Sequence, residues 1–183
     1  MDKLLPLFRE FSALEKKKAG AGLTARELAR WTDLKTKLTL RLSKGATKEN
    51  VERRQSLRIP MKLRVDFENA GAFNRATMSN ISHRGIFIST AFPPEIGTQL
   101  QVRIEIESTG DSIEVPAEVV SQHVGPGYQT SQLGMGLRFL RLTDQQLRQI
   151  NKLYLSGLDR FGKDASEHAE QDEKEHETPT PIH

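Results

Sequence analysis

From Ile59 to Glu68 apolar and polar residues alternate, with Ile59, Met61, Leu63, Val65 and Phe67 set against Pro60, Lys62, Arg64, Asp66 and Glu68. A period of two is that of a strand with one buried face. A turn-like stretch, Glu68-Asn69-Ala70-Gly71-Ala72, leads into Phe73 to Ser79, so the pattern predicts an antiparallel hairpin with Phe67 opposite Phe73 and Pro60 roughly opposite Asn80. Ile86 and Ile88 mark a short strand that ends near Pro93-Pro94. Leu100, Val102, Ile104 and Ile106 alternate with polar residues, as do Ile113, Val115, Ala117 and Val119, and then Met135, Leu137 and Phe139 beyond the Gly125-Pro126-Gly127 loop. Six short strands with turn-rich gaps predict a mainly β architecture, a small antiparallel barrel whose closure removes exposed edges.

Helical spacing brackets this region on both sides. Leu4, Leu7, Phe8, Phe11 and Leu14 recur on one face, and Lys16-Lys17-Lys18 precedes the breaker Ala19-Gly20-Ala21-Gly22, a basic last turn followed by a stop. Pro6 limits or kinks this first helix. Thr24 and Glu27 form a capping-box pair between Leu23 and Leu28, which opens a second helix to Leu42 with Leu28, Trp31, Leu34, Leu38 and Leu42 along one stripe. Read together, the two segments predict an α-helical hairpin or coiled coil. The stripe is narrow and interleaved with Arg and Lys, which suits a homo-oligomer or a docked partner protein better than burial against the chain's own barrel. At the other end, Thr143 and Gln146 repeat the capping pair, and Leu147, Ile150, Leu153, Tyr154 and Leu158 give a C-terminal helix its apolar face.

Charge sharpens the division. Residues 1–58 hold 15 Lys and Arg against 7 Asp and Glu, residues 59–161 hold 10 of each, and residues 162–183 hold 2 against 7. Four segments follow: a helical region over 1–43, a polar linker over 44–52, the barrel over 53–160, and an acidic tail over 161–183 that from Gly162 onward lacks aromatics and is rich in Glu, which reads as disorder. No cysteine is present, which removes disulfides, thiolate metal sites and cysteine nucleophiles. No apolar run approaches the ~20 residues of a membrane span, and the N-terminus lacks the apolar core of a signal peptide, so a cytoplasmic protein is expected.

The candidate chemistry lies in two clusters that the hairpin brings together: Arg53-Arg54-Gln55-Ser56-Leu57-Arg58 and Asn80-Ile81-Ser82-His83-Arg84-Gly85. An arginine fork can grip a phosphate bidentately, pair with the O6/N7 edge of guanine, or stack on a base. Asn80 and Ser82 add short neutral donors and acceptors, and Gly85 allows a positive φ or a close backbone approach. His83 lies inside the second cluster, where it could contact a ligand, but a lone histidine in a turn is more often merely solvated.

At these residues the chain resembles the PilZ family, whose signature joins R-x-x-x-R to [DN]-x-S-x-x-G; Arg54, Arg58, Asn80, Ser82 and Gly85 all match. The resemblance covers roughly residues 52 to 160. It implies a six-stranded antiparallel PilZ-like barrel with a C-terminal helix, and a receptor for cyclic di-GMP; because the polar linker runs directly into the arginine cluster, ordering those arginines around a ligand is expected to change the arrangement of the helices or partner contacts. Within that family an arginine immediately before the signature tends to accompany an intercalated pair of ligands, so Arg53 either serves that mode or simply adds charge. The implied site is Arg53, Arg54, Arg58, Asn80, Ser82 and Gly85, with cyclic di-GMP as ligand and no cofactor.

Catalysis has little support in the sequence. The five histidines show no zinc spacing, and neither a G-x-x-x-x-G-K-[ST] loop nor a G-x-S-x-G elbow occurs. A small nucleic-acid-binding barrel with a basic helical arm is the rival reading, favoured by the charge of residues 1–58. Against it, the strands carry no exposed aromatics interleaved with Lys and Arg. A ligand-free structural adaptor is the third.

Overall fold

The computed structural model describes residues 4–42, 49, 51, 55–69, 71–107, 109–128 and 132–175. Six strands, β1 (Ile59–Asn69), β2 (Ala72–Ser82), β3 (Gly85–Ser89), β4 (Gln99–Ile106), β5 (Asp111–His123) and β6 (Gly134–Phe139), form a closed antiparallel barrel in the order β1-β2-β3-β6-β5-β4. The alternating positions point inward as their period requires: Ile59, Val65, Met78, Ile81, Ile88, Ile104, Val115, Val119 and Met135 are fully buried. Pairing of β1 with β4 closes the sheet through Val65↔Ile104 and Phe67↔Val102.

The β1–β2 hairpin brings Pro60 opposite Asn80 and Ile59 opposite Ile81. At the tip, Phe73 faces Glu68 and Phe67 faces Asn74, one step from the expected Phe67–Phe73 pairing. An irregularity between Pro60 and Leu63 absorbs that step, as a bulge does by setting two residues against one.

Three helices complete the fold: α1 (Leu4–Gly20), α2 (Ala25–Leu42) and α3 (Asp144–Glu175). Pro6 is the third residue of α1, in the first turn, where a missing N–H removes no intrahelical bond. Both capping boxes form. The Thr24 N–H donates to Glu27 Oε2 at 3.0 Å and the Glu27 N–H to Thr24 Oγ1 at 3.3 Å; Thr143 and Gln146 make the same pair at 2.9 and 3.3 Å.

The chain divides into two compact units at residues 57/58 and 154/155. One holds the barrel and the start of α3. In the other, α1 packs on α2, with the Phe11 and Trp31 rings stacked at 6.0 Å between centroids. Ser12 Oγ donates to Asp159 Oδ1 of α3 at 3.1 Å, and Lys16 Nζ pairs with the same carboxylate at 2.9 Å. Trp31, Leu34 and Leu38 are buried within the single chain. The expected α-helical hairpin thus forms, with Phe8 and Phe11 of α1 also buried, while Leu28 at the start of the same stripe stays 48% exposed. The indole N–H of Trp31 donates to the buried Glu15 carboxylate, and Lys18 Nζ stands 3.6 Å from the ring centroid.

Helix α3 differs from expectation in length. It continues through Glu175, into the segment that composition reads as a disordered tail. Glu, Ala and Lys recur there, and these residues have high helix propensity even where no apolar face demands a helix. No described helix is long and apolar enough to cross a membrane.

Candidate ligand-binding site

Arg58, the residue before β1, and the β2–β3 turn lie at one end of the barrel. Ile59 pairs with Ile81, so one further step of the antiparallel register brings Arg58 level with Ser82. Ile59 and Ile81 point into the core; their neighbours Arg58, Asn80 and Ser82 therefore share the opposite face. Sequence positions more than twenty residues apart become one surface.

Arg58 is exposed along its side chain, yet partial burial of its guanidinium draws its pKa below the ordinary arginine value. Among the described residues no carboxylate pairs with it. Four other barrel arginines are paired with carboxylates: Arg64 with Glu105, Arg75 with Asp66, Arg103 with Glu114 and Arg138 with Glu118. Asn80 is half-buried between β1 and β3, opposite Pro60 and Phe87. Its amide makes no hydrogen bond among the described residues.

The turn itself is held at each residue. Ser82 is 9% exposed, and its hydroxyl donates to the Gly85 carbonyl at 3.1 Å. The Phe139 N–H donates to the Arg84 carbonyl at 2.9 Å. Gly85 pairs with Arg138 across β3–β6, and a Cβ added to it would lie 2.0 Å from the Leu137 carbonyl oxygen. Of the two reasons for a glycine here, close backbone approach is the one that applies; its φ is not among the positive ones.

His83 is not the solvated histidine that its isolation in the sequence suggests. Its Nδ1 lies 2.9 Å from Asn151 Oδ1, and its ring centroid is 4.0 Å from that of Tyr154, both on α3. Asn151 had no signal in the sequence beyond its place one residue from the buried Ile150. Arg53 and Arg54 lie outside the described residues; Arg58, Asn80, Ser82 and Gly85 are brought together. Among the described residues no cluster of His, Cys, Asp and Glu could hold a metal ion.

Comparison with known proteins agrees with this architecture. The family model described as "PilZ domain" matches residues 52–156, more than half of the chain. The PilZ domain with c-di-GMP of YcgR from Escherichia coli superposes with a TM-score of 0.51 at 18% identity, covering 63% of this chain and 98% of that one. YcgR in complex with c-di-GMP from Escherichia coli gives 0.53 at 18%, covering 64% of this chain and 51% of that one; the chain spans about half the length of that relative. At such identity the likeness is one of fold. No curated protein matches the chain in sequence.

Proposed function

Because residues 52–156 make this chain a member of the PilZ domain family, we propose that it is a receptor for cyclic di-GMP and that occupancy changes the arrangement of its helices. PilZ domains are generally non-catalytic receptors for that nucleotide. The observation that carries the reading is Arg58: a partly desolvated guanidinium, without a carboxylate partner among the described residues, on the same barrel face as Asn80 and Ser82. A cation held in that way gains most from a ligand that brings its own negative charge. Cyclic di-GMP offers two phosphates and two guanine edges, and the fork of an arginine suits both. Arg53 and Arg54, adjacent in sequence, extend the same chemistry, and Arg53 is the residue that would favour a stacked ligand pair.

Two features support a response in the helices. The Arg53–Arg58 segment follows α2 after a short polar linker, and α3 begins beside the barrel and runs on into the helical unit. A ligand that orders the first or tightens on the second shifts the balance of helix arrangements by its difference in affinity for them. Isothermal titration of the full chain with cyclic di-GMP, beside GTP, cyclic AMP and single-stranded DNA, tests the reading. Saturable heat with cyclic di-GMP alone supports it, and a response to DNA in its place gives the basic-arm alternative.

A further inference from the structure

We propose that His83, locked to α3 through Asn151 and Tyr154, is a positioning residue that holds the β2–β3 turn in the form that accepts the ligand; this rests on the reading above. The turn is short. Only His83 and Arg84 separate Ser82 at the end of β2 from Gly85 at the start of β3, so a shift of either moves both matched residues. Arg84 is fastened to β6 by its carbonyl, which accepts from the Phe139 N–H, and Gly85 is pressed against the Leu137 backbone. His83 fastens the turn to a third element. Asn151 and Tyr154 are three apart on α3 and therefore on one helix face. The first takes the imidazole edge at 2.9 Å and the second its ring at 4.0 Å between centroids, tilted 43°. Tyr154 is fully buried, so the aromatic support is fixed in the core.

With the Asn151 carbonyl oxygen facing it, the imidazole donates from Nδ1–H. The side chain is then occupied on the edge that meets α3. Its role is to fix the backbone on which Ser82 and Gly85 sit, and so to reduce the ordering that binding would otherwise have to supply.

The test measures cyclic di-GMP affinity and apo melting temperature on the full chain for wild type, His83→Leu, Asn151→Leu, the double variant and Asn151→Asp. Loss of one hydrogen bond that orders the turn should weaken binding by about three- to ten-fold in each Leu variant. The double variant should be no weaker than His83→Leu, because that substitution already removes the contact with Asn151. Asn151→Asp keeps an acceptor for Nδ1–H and should bind as wild type does, whatever its melting temperature. Unchanged affinity in Asn151→Leu, whether or not it melts earlier, overturns the inference and leaves the receptor reading standing. Weakening in His83→Leu alone also overturns it, by making His83 a direct ligand contact. A wild-type chain that takes up no cyclic di-GMP overturns both.

Discussion

Gly85 and Leu137 approach so closely across β3 and β6 that a single methyl group on Gly85 would sit 2.0 Å from the Leu137 carbonyl oxygen. No side-chain rotation relieves a clash with backbone, so the strands must part or the turn must shift. Gly85→Ala should therefore cost about 3 kcal/mol, the upper end of overpacking, and lower the melting temperature by about 12 °C or more. Gly127→Ala is the control, since nothing lies within 4 Å of the position of its Cβ; its melting temperature should stay within about 2 °C of wild type.

Lys35 gives the helical unit a pH dependence. It is only 7% exposed, and burial, followed by repulsion from Lys18, lowers its pKa from the ordinary lysine value of 10.5. The folded chain thus releases this proton at a lower pH than the unfolded chain does. Below the folded pKa the penalty of a buried charge is fully present; between the folded value and 10.5 the unfolded state holds more protons, and stability rises with pH. Urea denaturation followed at Trp31 should show wild type gaining stability relative to Lys35→Met as pH climbs toward 10.5. A constant difference across that range would contradict the assignment.

Trp31 is the only tryptophan in the chain, and it sits between α1 and α2 with Lys18 and Glu15 against its ring and N–H. Its emission depends on those charged neighbours. If ligand binding at the barrel rearranges the helices, saturating cyclic di-GMP should change Trp31 intensity, and Arg58→Ala should abolish the change at the same concentration. Emission unmoved by a ligand that demonstrably binds would separate sensing from any helical response.

Much of this was legible in the sequence where the determinant is local. The pairs Thr24/Glu27 and Thr143/Gln146 are three residues apart, and each forms as its spacing dictates. Pro60 opposite Asn80 follows from strand alternation and turn length, and it brings the two polar clusters together. The tip register was not legible, because a bulge between Pro60 and Leu63 shifts pairing without disturbing which residues face inward. The mate of the α2 stripe was equally hidden. Leu34 and Leu38 carry the same information whatever covers them; their burial in the chain beside Phe8 and Phe11 of α1, with Leu28 left 48% exposed, is a matter of packing that no local pattern encodes. His83 and Asn151 stand 68 residues apart on different elements, and no local pattern links them.

The capping threonines separate the two units experimentally. Thr143→Ala should destabilise the start of α3 and Thr24→Ala that of α2, each by about 1 kcal/mol. Because the Gln146 amide also donates to the Glu114 carbonyl on β5 at 2.8 Å, loosening Thr143 should speed amide exchange in the barrel. Loosening Thr24 should speed it in α2 alone.

The most direct measurement is a calorimetric titration of cyclic di-GMP into three folded proteins: wild type, Arg58→Ala and Arg64→Ala. Arg64 lies on the barrel and already pairs with Glu105 at 3.2 Å, so its loss should change affinity by less than about two-fold. Arg58 has no such partner among the described residues, and its loss should weaken binding about ten-fold or more at an unchanged melting temperature. No saturable heat in wild type, or equal affinities for wild type and Arg58→Ala, would contradict the account.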